Sequence, residues 1–211
     1  KKEIKKFINT LVYPYNFLDF ETFGPAIPIL KNSKPYENLP FQFSLHIQEN
    51  ENDAIKHFEY INKKIKDFRL EFAEKLLKNI KYTGSVIVYN QSFEKNVISS
   101  LAKLFPEIKN DLLNINNRMV DLLKPFRSRN LYSPEQNGSA SIKNVLPVFT
   151  NKTYENLEIK DGMEVSINYE IFFNNELTSK EKDIFFQDAL KYCKLDTYAM
   201  IDLLKVLKNK I

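Results

Sequence analysis

The chain has 211 residues, of which 43% are hydrophobic and 27% charged, with a net charge of +4 and a single cysteine, Cys193. This balance excludes a disordered chain, and the length predicts one domain over residues 1–211. One cysteine excludes an internal disulfide and a cysteine-based zinc cluster, and it predicts a buried thiol on a helix. No apolar run approaches the roughly 20 residues of a membrane-spanning helix, so we expect a cytoplasmic protein with no membrane partner.

The start of the chain predicts a fragment. Lys1 opens a lysine-rich amphipathic stretch, and no initiator Met precedes it. We therefore expect a domain excised from a longer polypeptide, with the other domains of that polypeptide as additional partners.

Three strands are predicted in the first third of the chain. An apolar run over residues 13–20 ends before a Gly-Pro turn signal, residues 41–48 alternate between apolar and polar, and residues 57–61 offer a third strand. Prolines spread over residues 24–40 predict an extended loop after the first strand. This loop is interpreted as a lid or substrate guide, or as a cover for a sheet edge. Its apolar residues are Ile27, Tyr36 and Phe41.

The rest of the chain alternates between helices and strands. In chain order the predicted elements are a helix over 67–80, a strand over 85–90, a helix over 93–105, a strand over 119–123 and a helix over 142–146 that ends before Pro147. A candidate strand follows over residues 165–172, and Ser179 is expected to cap a long amphipathic helix. This order predicts an α/β fold with a mixed five-stranded sheet and helices on both faces.

Two acidic residues, Asp19 and Glu21, interrupt the apolar first strand. Alternation places both side chains on one face of the strand, and Leu18 and Phe20 on the other. A buried carboxylate pair is costly unless a cation neutralises it, and Mg²⁺ and Mn²⁺ prefer oxygen ligands. Taken alone, two solvated acids at a strand end are an equally good interpretation.

Two further groups of polar residues lie on later elements. Asn90 and Gln91 follow a central strand, at the end where ligands of open α/β sheets bind. Glu94 falls in the first turn of the next helix, where its carboxylate can face a neighbouring site. The alternative is an ordinary acid at a helix N-terminus, with no role in a site. Tyr192 and Asp196 are four residues apart on the C-terminal helix and therefore share a face, although helical tyrosines often only pack in the core.

In combination these residues resemble the three motifs of the DEDD exonuclease superfamily. The motifs are Asp19-x-Glu21-Thr22, Asn90-x-x-Phe93 followed by an acid, and Tyr192-x-x-x-Asp196. Tyr rather than His in the third motif resembles the DEDDy branch. Other short sequence segments are similar to an uncharacterised bacterial domain-of-unknown-function family related to these exonucleases. The resemblance implies an RNase H-like fold. One residue departs from the pattern, since Glu94 stands where the superfamily has Asp.

The resemblance also implies a metal-dependent 3′-to-5′ exonuclease that releases nucleoside monophosphates from single-stranded DNA or RNA. Two divalent cations, Mg²⁺ or Mn²⁺, would be bridged by Asp19. Glu21 and Asp196 would hold one cation, and Glu94 would lie on or near the other. Tyr192 would orient the nucleophile. Asp121 is the substitute for a fourth carboxylate, or a strand-edge acid.

The 3′ end of the strand would meet residues that surround these carboxylates. Phe23 would stack against the terminal base, a contact that tolerates any sequence. The other substrate-binding candidates are Thr22, Asn90, Gln91 and Lys143, with Arg127 and Arg129 as further phosphate contacts. A solvated surface explains these basic residues equally well.

Two other functions remain open on the sequence. A nucleic-acid-binding module could keep the fold and have lost activity through Glu94. An RNase H-like endonuclease would use a similar set of carboxylates but cut internal phosphodiesters.

Overall fold

The computed structural model describes residues 1–211 as an α/β fold around one mixed sheet. Its strands are β1 (Tyr15–Phe23), β2 (Leu39–Gln48), β3 (Lys56–Ile61), β4 (Val86–Val88) and β5 (Met119–Asp121). They lie in the order β3-β2-β1-β4-β5, with β1 antiparallel to β2 and parallel to β4. The α/β class and the mixed five-stranded sheet are confirmed, and β1 is its central strand.

Helices cover both faces of this sheet, as predicted. They are α1 (Lys2–Ile8), α2 (Arg69–Asn79), α3 (Gln91–Leu104), α4 (Lys109–Asn117), α5 (Lys124–Arg127), α6 (Ile142–Phe149), α7 (Gly162–Phe173) and α8 (Ser179–Lys208). One core joins Leu18 and Phe20 to α2, α3 and α4, and the other joins Phe17 to α6, α7 and α8. None of the helices combines the length and the apolarity that a bilayer crossing requires.

The predicted strand over residues 165–172 was wrong, because this segment is helix α7. Asp161 caps the helix by accepting a hydrogen bond from the Glu164 N–H at 2.9 Å. Val165, Tyr169 and Phe172 recur at helical spacing and are buried. The period of the apolar residues, rather than their β-branched character, therefore determines the structure here.

Two helix ends also differ from their predictions. Helix α6 continues past Pro147 to Phe149, because this proline lies near the end of the helix and removes only one backbone hydrogen bond. Helix α8 is capped by Thr178 rather than Ser179. The Glu181 N–H donates to the Thr178 hydroxyl, and the Thr178 N–H donates to the Glu181 carboxylate, which forms a capping box.

Buried hydrogen bonds fix α8 across the sheet. The Gln42 amide on β2 donates to the Ala189 carbonyl at 2.8 Å, and the Thr197 hydroxyl lies 2.7 Å from the Ser44 hydroxyl and 2.8 Å from His46 Nδ1. Buried hydrogen bonds between distant segments favour one arrangement of the packed elements. The segment between Ala189 and Thr197 is thereby held over β1.

Candidate active site

Asp19, Glu21, Tyr192 and Asp196 line one cavity of about 460 Å³. Asp19 lies at the middle of β1 and Glu21 nearer its carboxyl end, and the other two lie on the segment of α8 that crosses the strand. The remaining lining residues are Phe20, Thr22, Gly24, Asn38, Tyr89, Phe93, Ile142, Gly162, Met163, Ser166 and Met200. The structure therefore brings the first and third sequence motifs together, although Asp19 and Asp196 are 177 positions apart in the chain.

The strand β1 presents both of its acids to this cavity. Leu18 and Phe20 are buried in the opposite core, so the predicted alternation is confirmed. The pairing with β2 shifts just after Glu21, because Glu21 lies opposite Gln42 whereas Thr22 lies opposite Pro40. A shift of this kind bends the strand and directs its end residues differently from a regular ladder.

The carboxylates raise each other's proton affinity. Burial raises the pKa of Asp19 and of Glu21 well above the usual range, and the charges of Asp196 and Glu94 raise both further. Burial also raises the pKa of Asp196 to about 6, although hydrogen bonding to Tyr154 and the charge of Lys143 oppose that rise. A bound cation would relieve this mutual repulsion.

Glu94 lies beside the cavity rather than on its surface. It occupies the first turn of α3, only 2% of it is exposed, and its Oε2 atom has no hydrogen-bond partner. Burial raises its pKa to about 8. Unpaired buried carboxylate oxygens are rare because each costs desolvation free energy, so this atom is a candidate ligand atom.

Tyr154 is a functional candidate that the sequence did not indicate. Its hydroxyl donates to Asp196 Oδ1 at 2.5 Å, and its ring centroid lies 6.0 Å from that of Tyr192. Lys143 Nζ lies 5.4 Å from the centre of the Tyr192 ring, and its charge lowers the pKa of Glu21 and of Asp196. The predicted proximity of Lys143 to the carboxylates is therefore found. No motif surrounds Tyr154, so the sequence carried no signal for its position.

Helix α7 closes one side of the cavity. A Cβ atom at Gly162 would lie 3.3 Å from Glu21 Oε2, which is a tight contact, so a glycine lets the start of α7 approach this carboxylate. Met163 and Ser166 line the cavity from the same helix. The segment 151–173 thus supplies a wall of the site.

The predicted role of Phe23 in base stacking was wrong for this structure. Phe23 is fully buried, and its ring centroid lies 4.8 Å from that of Tyr169 on α7. Phe41, predicted in the lid, is also buried and stacks on Tyr169 at 3.5 Å. Both errors have one cause, because α7 covers this end of the sheet. Ile27 and Tyr36 do lie on the exposed proline-rich loop.

The other substrate-binding candidates divide between locations. Thr22 lines the carboxylate cavity, Asn90 lines a neighbouring cavity, and Gln91 lines neither. Asp121, the substitute carboxylate, uses its Oδ1 atom to accept hydrogen bonds at 3.0 Å from the N–H groups of both Asn90 and Leu123. It holds the turn between β4 and α3.

Cys193 is buried on α8, as predicted, and lies against Asp19. Its Sγ atom is 3.6 Å from Asp19 Oδ2, and ligand atoms of Asp19, Glu21 and Cys193 all lie within 4.8 Å of one another. Burial and the adjacent acids raise the pKa of this thiol well above its usual range. Cys193 therefore donates to Asp19 as a neutral thiol rather than offering a thiolate ligand.

Replacing Tyr154 by Phe should shift the acidic limb of any carboxylate-dependent activity to higher pH. Tyr154 stabilises the ionised form of Asp196, so the pKa of Asp196 rises when the hydroxyl is lost. At pH 5.5, where the proton competes with the cation for Asp196, we expect the Mn²⁺ concentration for half-maximal activity to increase about tenfold, the order of one hydrogen bond to a charged group, and the increase should vanish by pH 8.5. The measurement is a metal titration repeated from pH 5.5 to 8.5. Tyr169→Phe removes a hydroxyl that bonds Asn62 instead, and it should leave the pH profile unchanged.

Comparison with known proteins places most of the chain in one family. Residues 16–141 match the family described as "Domain of unknown function (DUF2779)", a span that includes Asp19, Glu21 and Glu94. An uncharacterised protein of Mycoplasma genitalium is 30% identical over 92% of this chain and 32% of its own length. Another, of Ureaplasma parvum, is 28% identical over 88% of this chain and 30% of its own length. The chain thus spans about a third of these relatives, and no solved structure matches it.

Proposed function

The chain belongs to the DUF2779 family, and we propose that it is a metal-dependent 3′-to-5′ exonuclease of RNase H-like fold that acts on single-stranded nucleic acid. The observation that carries this proposal is that Asp19 and Glu21 on β1 and Asp196 on α8 line one cavity, with Glu94 of α3 buried beside it and a single lysine nearby. The order of these residues along the chain is that of the three DEDDy motifs. The mixed sheet with α8 packed across its central strand supports the same fold.

The donor set fits divalent metal ions with a preference for oxygen. Three of the four carboxylates are at least 92% buried, which is costly for anions unless a cation compensates them. The unpartnered Oε2 atom of Glu94 is a free donor of the same kind. Two cations, Mg²⁺ or Mn²⁺, held by Asp19, Glu21, Asp196 and Glu94 would lower the pKa of a water molecule and stabilise charge on the phosphodiester oxygens.

The chain's own residues would position the substrate around this set. Burial and the adjacent acids raise the pKa of Tyr192, so its hydroxyl stays protonated and orients a water molecule without acting as a base. Lys143 lies over the same ring and would contact the phosphate. Thr22 lines the cavity beside Glu21 and would contact the terminal nucleotide.

A cleavage assay tests the proposal. Oligonucleotides of DNA and of RNA with a 5′ label are incubated with the protein and Mn²⁺, and the products are resolved to single nucleotides. We expect a ladder that shortens from the 3′ end, disappears with chelator and is absent for Asp196→Asn. A phosphate blocking the 3′ hydroxyl should slow the reaction, because an exonuclease needs the terminal nucleotide in its site.

Other results would contradict the exonuclease. Nicking of a circular single strand would identify an endonuclease instead. Tight oligonucleotide binding without metal-dependent cleavage would identify a binding module, the function expected if Glu94 has weakened the site.

A further inference from the structure

A second cavity, of about 520 Å³, adjoins the carboxylate cavity. The two share Tyr89 and Ile142 as lining residues, so they are neighbouring compartments of one groove. The second cavity is lined mainly by the segment between β5 and α6, including Arg127, Arg129 and Ser141. Nothing in the proposed chemistry uses it.

The charge of this second cavity is opposite to that of the first. None of its twelve lining residues is acidic, and two are arginines. Both Arg127 and Arg129 are exposed, and neither forms an ion pair with a carboxylate. The Arg129 guanidinium lies 5.3 Å from the centre of the Tyr132 ring, a contact that leaves its charge available. Unneutralised guanidinium groups beside a cavity are suited to phosphate groups.

The wall of this cavity is held by partly buried hydrogen bonds. Gln136 is fully buried, accepts from the Ser133 N–H at 2.9 Å and donates to the Ser139 carbonyl at 3.1 Å. The Tyr89 hydroxyl donates to the Ala140 carbonyl at 2.6 Å. Because these bonds join the loop to the residue that follows β4 and to itself, the cavity is preformed, which lowers the entropic cost of binding.

Helix α6 adds a second source of positive potential. Ser141 is its N-cap residue and Ile142 its first residue, and both line the cavity. The Ser141 side chain caps no backbone N–H group of the helix, so its hydroxyl is free for a ligand. Backbone N–H groups at a helix N-terminus attract anions. Lys143, one residue further, lies over the Tyr192 ring in the neighbouring cavity.

We propose that this second cavity binds the phosphodiester backbone of the single-stranded substrate, one or two nucleotides to the 5′ side of the bond cleaved at the carboxylates. This inference rests on the proposed nuclease function. The arginines, the Ser141 hydroxyl and the start of α6 hold backbone phosphates, while the shared residues Tyr89 and Ile142 lie between the two compartments. The contacts recognise phosphates rather than bases, so the subsite accepts strands of any sequence.

The test is a double variant, Arg127→Gln with Arg129→Asn, in which Asn is chosen because residue 129 has a φ of 55°. Binding of fluorescent 12-nucleotide DNA and RNA strands is measured by anisotropy in an Asp19→Asn background, which cannot cleave them. We expect affinity at low salt to fall at least about tenfold and the slope of log K against log salt to decrease by about 1.4, or about 0.7 per phosphate contact. The preference for a 12-nucleotide strand over a dinucleotide, measured as kcat/KM with Asp19 present, should fall by a similar factor.

Lys75→Gln with Lys78→Gln is the matched control. It also removes two exposed positive charges, but from α2 on the opposite face of the sheet. Affinity, salt slope and length preference should stay at wild-type values. Thermal unfolding of both double variants verifies that they fold.

The outcomes separate this inference from the nuclease proposal. If cleavage is intact but the arginine variant binds like the lysine variant, the subsite is wrong and the nuclease stands. If no cleavage occurs but the arginine variant alone loses affinity, the subsite stands and the nuclease proposal fails. If the Asp19→Asn protein that keeps both arginines binds neither strand and the wild-type protein cleaves neither, both are overturned.

Discussion

Replacing Asp19 by Asn is expected to abolish metal-dependent cleavage and, at the same time, to stabilise the metal-free protein. Asp19 is the carboxylate that Glu21, Asp196 and Glu94 all surround, so it would contribute to every bound cation. We expect the rate to fall at least about a thousandfold, since several kcal/mol of electrostatic stabilisation would be lost and each 1.4 kcal/mol is about a factor of ten.

The stabilisation follows from the direction of the pKa shifts. Burial and the neighbouring acids raise the pKa of Asp19 in the folded chain above that in the unfolded chain. Between these two values the unfolded chain is ionised and the folded chain is not, so folding stability falls as pH rises through that window. An amide of the same shape carries no charge at any pH. We therefore expect Asp19→Asn to raise the free energy of unfolding at pH 7.5 by about 1 to 3 kcal/mol in chelator.

Asp121→Asn is the control variant, for which we expect the opposite change in the free energy of unfolding. Asp121 accepts two backbone N–H groups, and an amide can satisfy them less well than a carboxylate. We expect this variant to lose about 1 to 3 kcal/mol of stability. Thermal unfolding with chelator and with Mn²⁺ measures both effects. Mn²⁺ should stabilise the wild-type protein but not Asp19→Asn, because binding to the folded state alone raises its stability. If Asp19→Asn is less stable than the wild type in chelator, the buried carboxylates do not repel one another in the folded protein, and the metal-site interpretation fails.

The sequence predicted the parts of this site that depend on local periodicity. Alternation along β1 was enough to predict that Asp19 and Glu21 share one face of the strand. Helical spacing was enough to predict that Tyr192 and Asp196 share one face of α8. Tertiary contact between these faces was an inference from the resemblance. The structure shows its physical basis in the bonds from Gln42 to Ala189 and from Ser44 and His46 to Thr197.

The positions of Phe23 and Tyr154, which the sequence did not indicate, depend on the segment 151–173. The sequence of this segment carries no strong local signal for its secondary structure. The candidate strand over residues 165–172 is in fact helix α7, which begins at Gly162 and approaches Glu21 closely because this residue has no side chain. Once α7 is placed on the sheet, Phe23 has to be core and Tyr154 can reach Asp196. Neither consequence is encoded near Phe23 or Tyr154 in the sequence, because both arise from packing between distant segments.

Changes at Glu94 should decide whether this glutamate serves catalysis. We expect Glu94→Gln to lower the rate about a hundredfold, because the Oε2 atom that has no partner in the protein would no longer carry a charge for a cation. Glu94→Asp keeps the charge, but its side chain is one methylene shorter. The carboxylate therefore lies further from the position of the Glu94 carboxylate, which is buried (the residue is 2% exposed). We expect it to lower the rate about tenfold. Glu74, an exposed acid on α2, supplies the controls Glu74→Gln and Glu74→Asp, which should leave the rate unchanged.

The opposite result for Glu94→Asp would carry a different meaning. A gain in rate would show that Glu94 is a weakened form of the aspartate in the second DEDD motif, and the chain would then be a binding module with residual activity. The pH dependence of the free energy of unfolding distinguishes both of these cases from a variant that loses activity because it misfolds. Burial raises the pKa of Glu94 to about 8, so in chelator the wild-type protein should lose stability as pH rises toward 8. Glu94→Gln should remove that part of the loss, and added Mn²⁺ should remove it in the wild type, because a cation bound at Glu94 stabilises the ionised carboxylate.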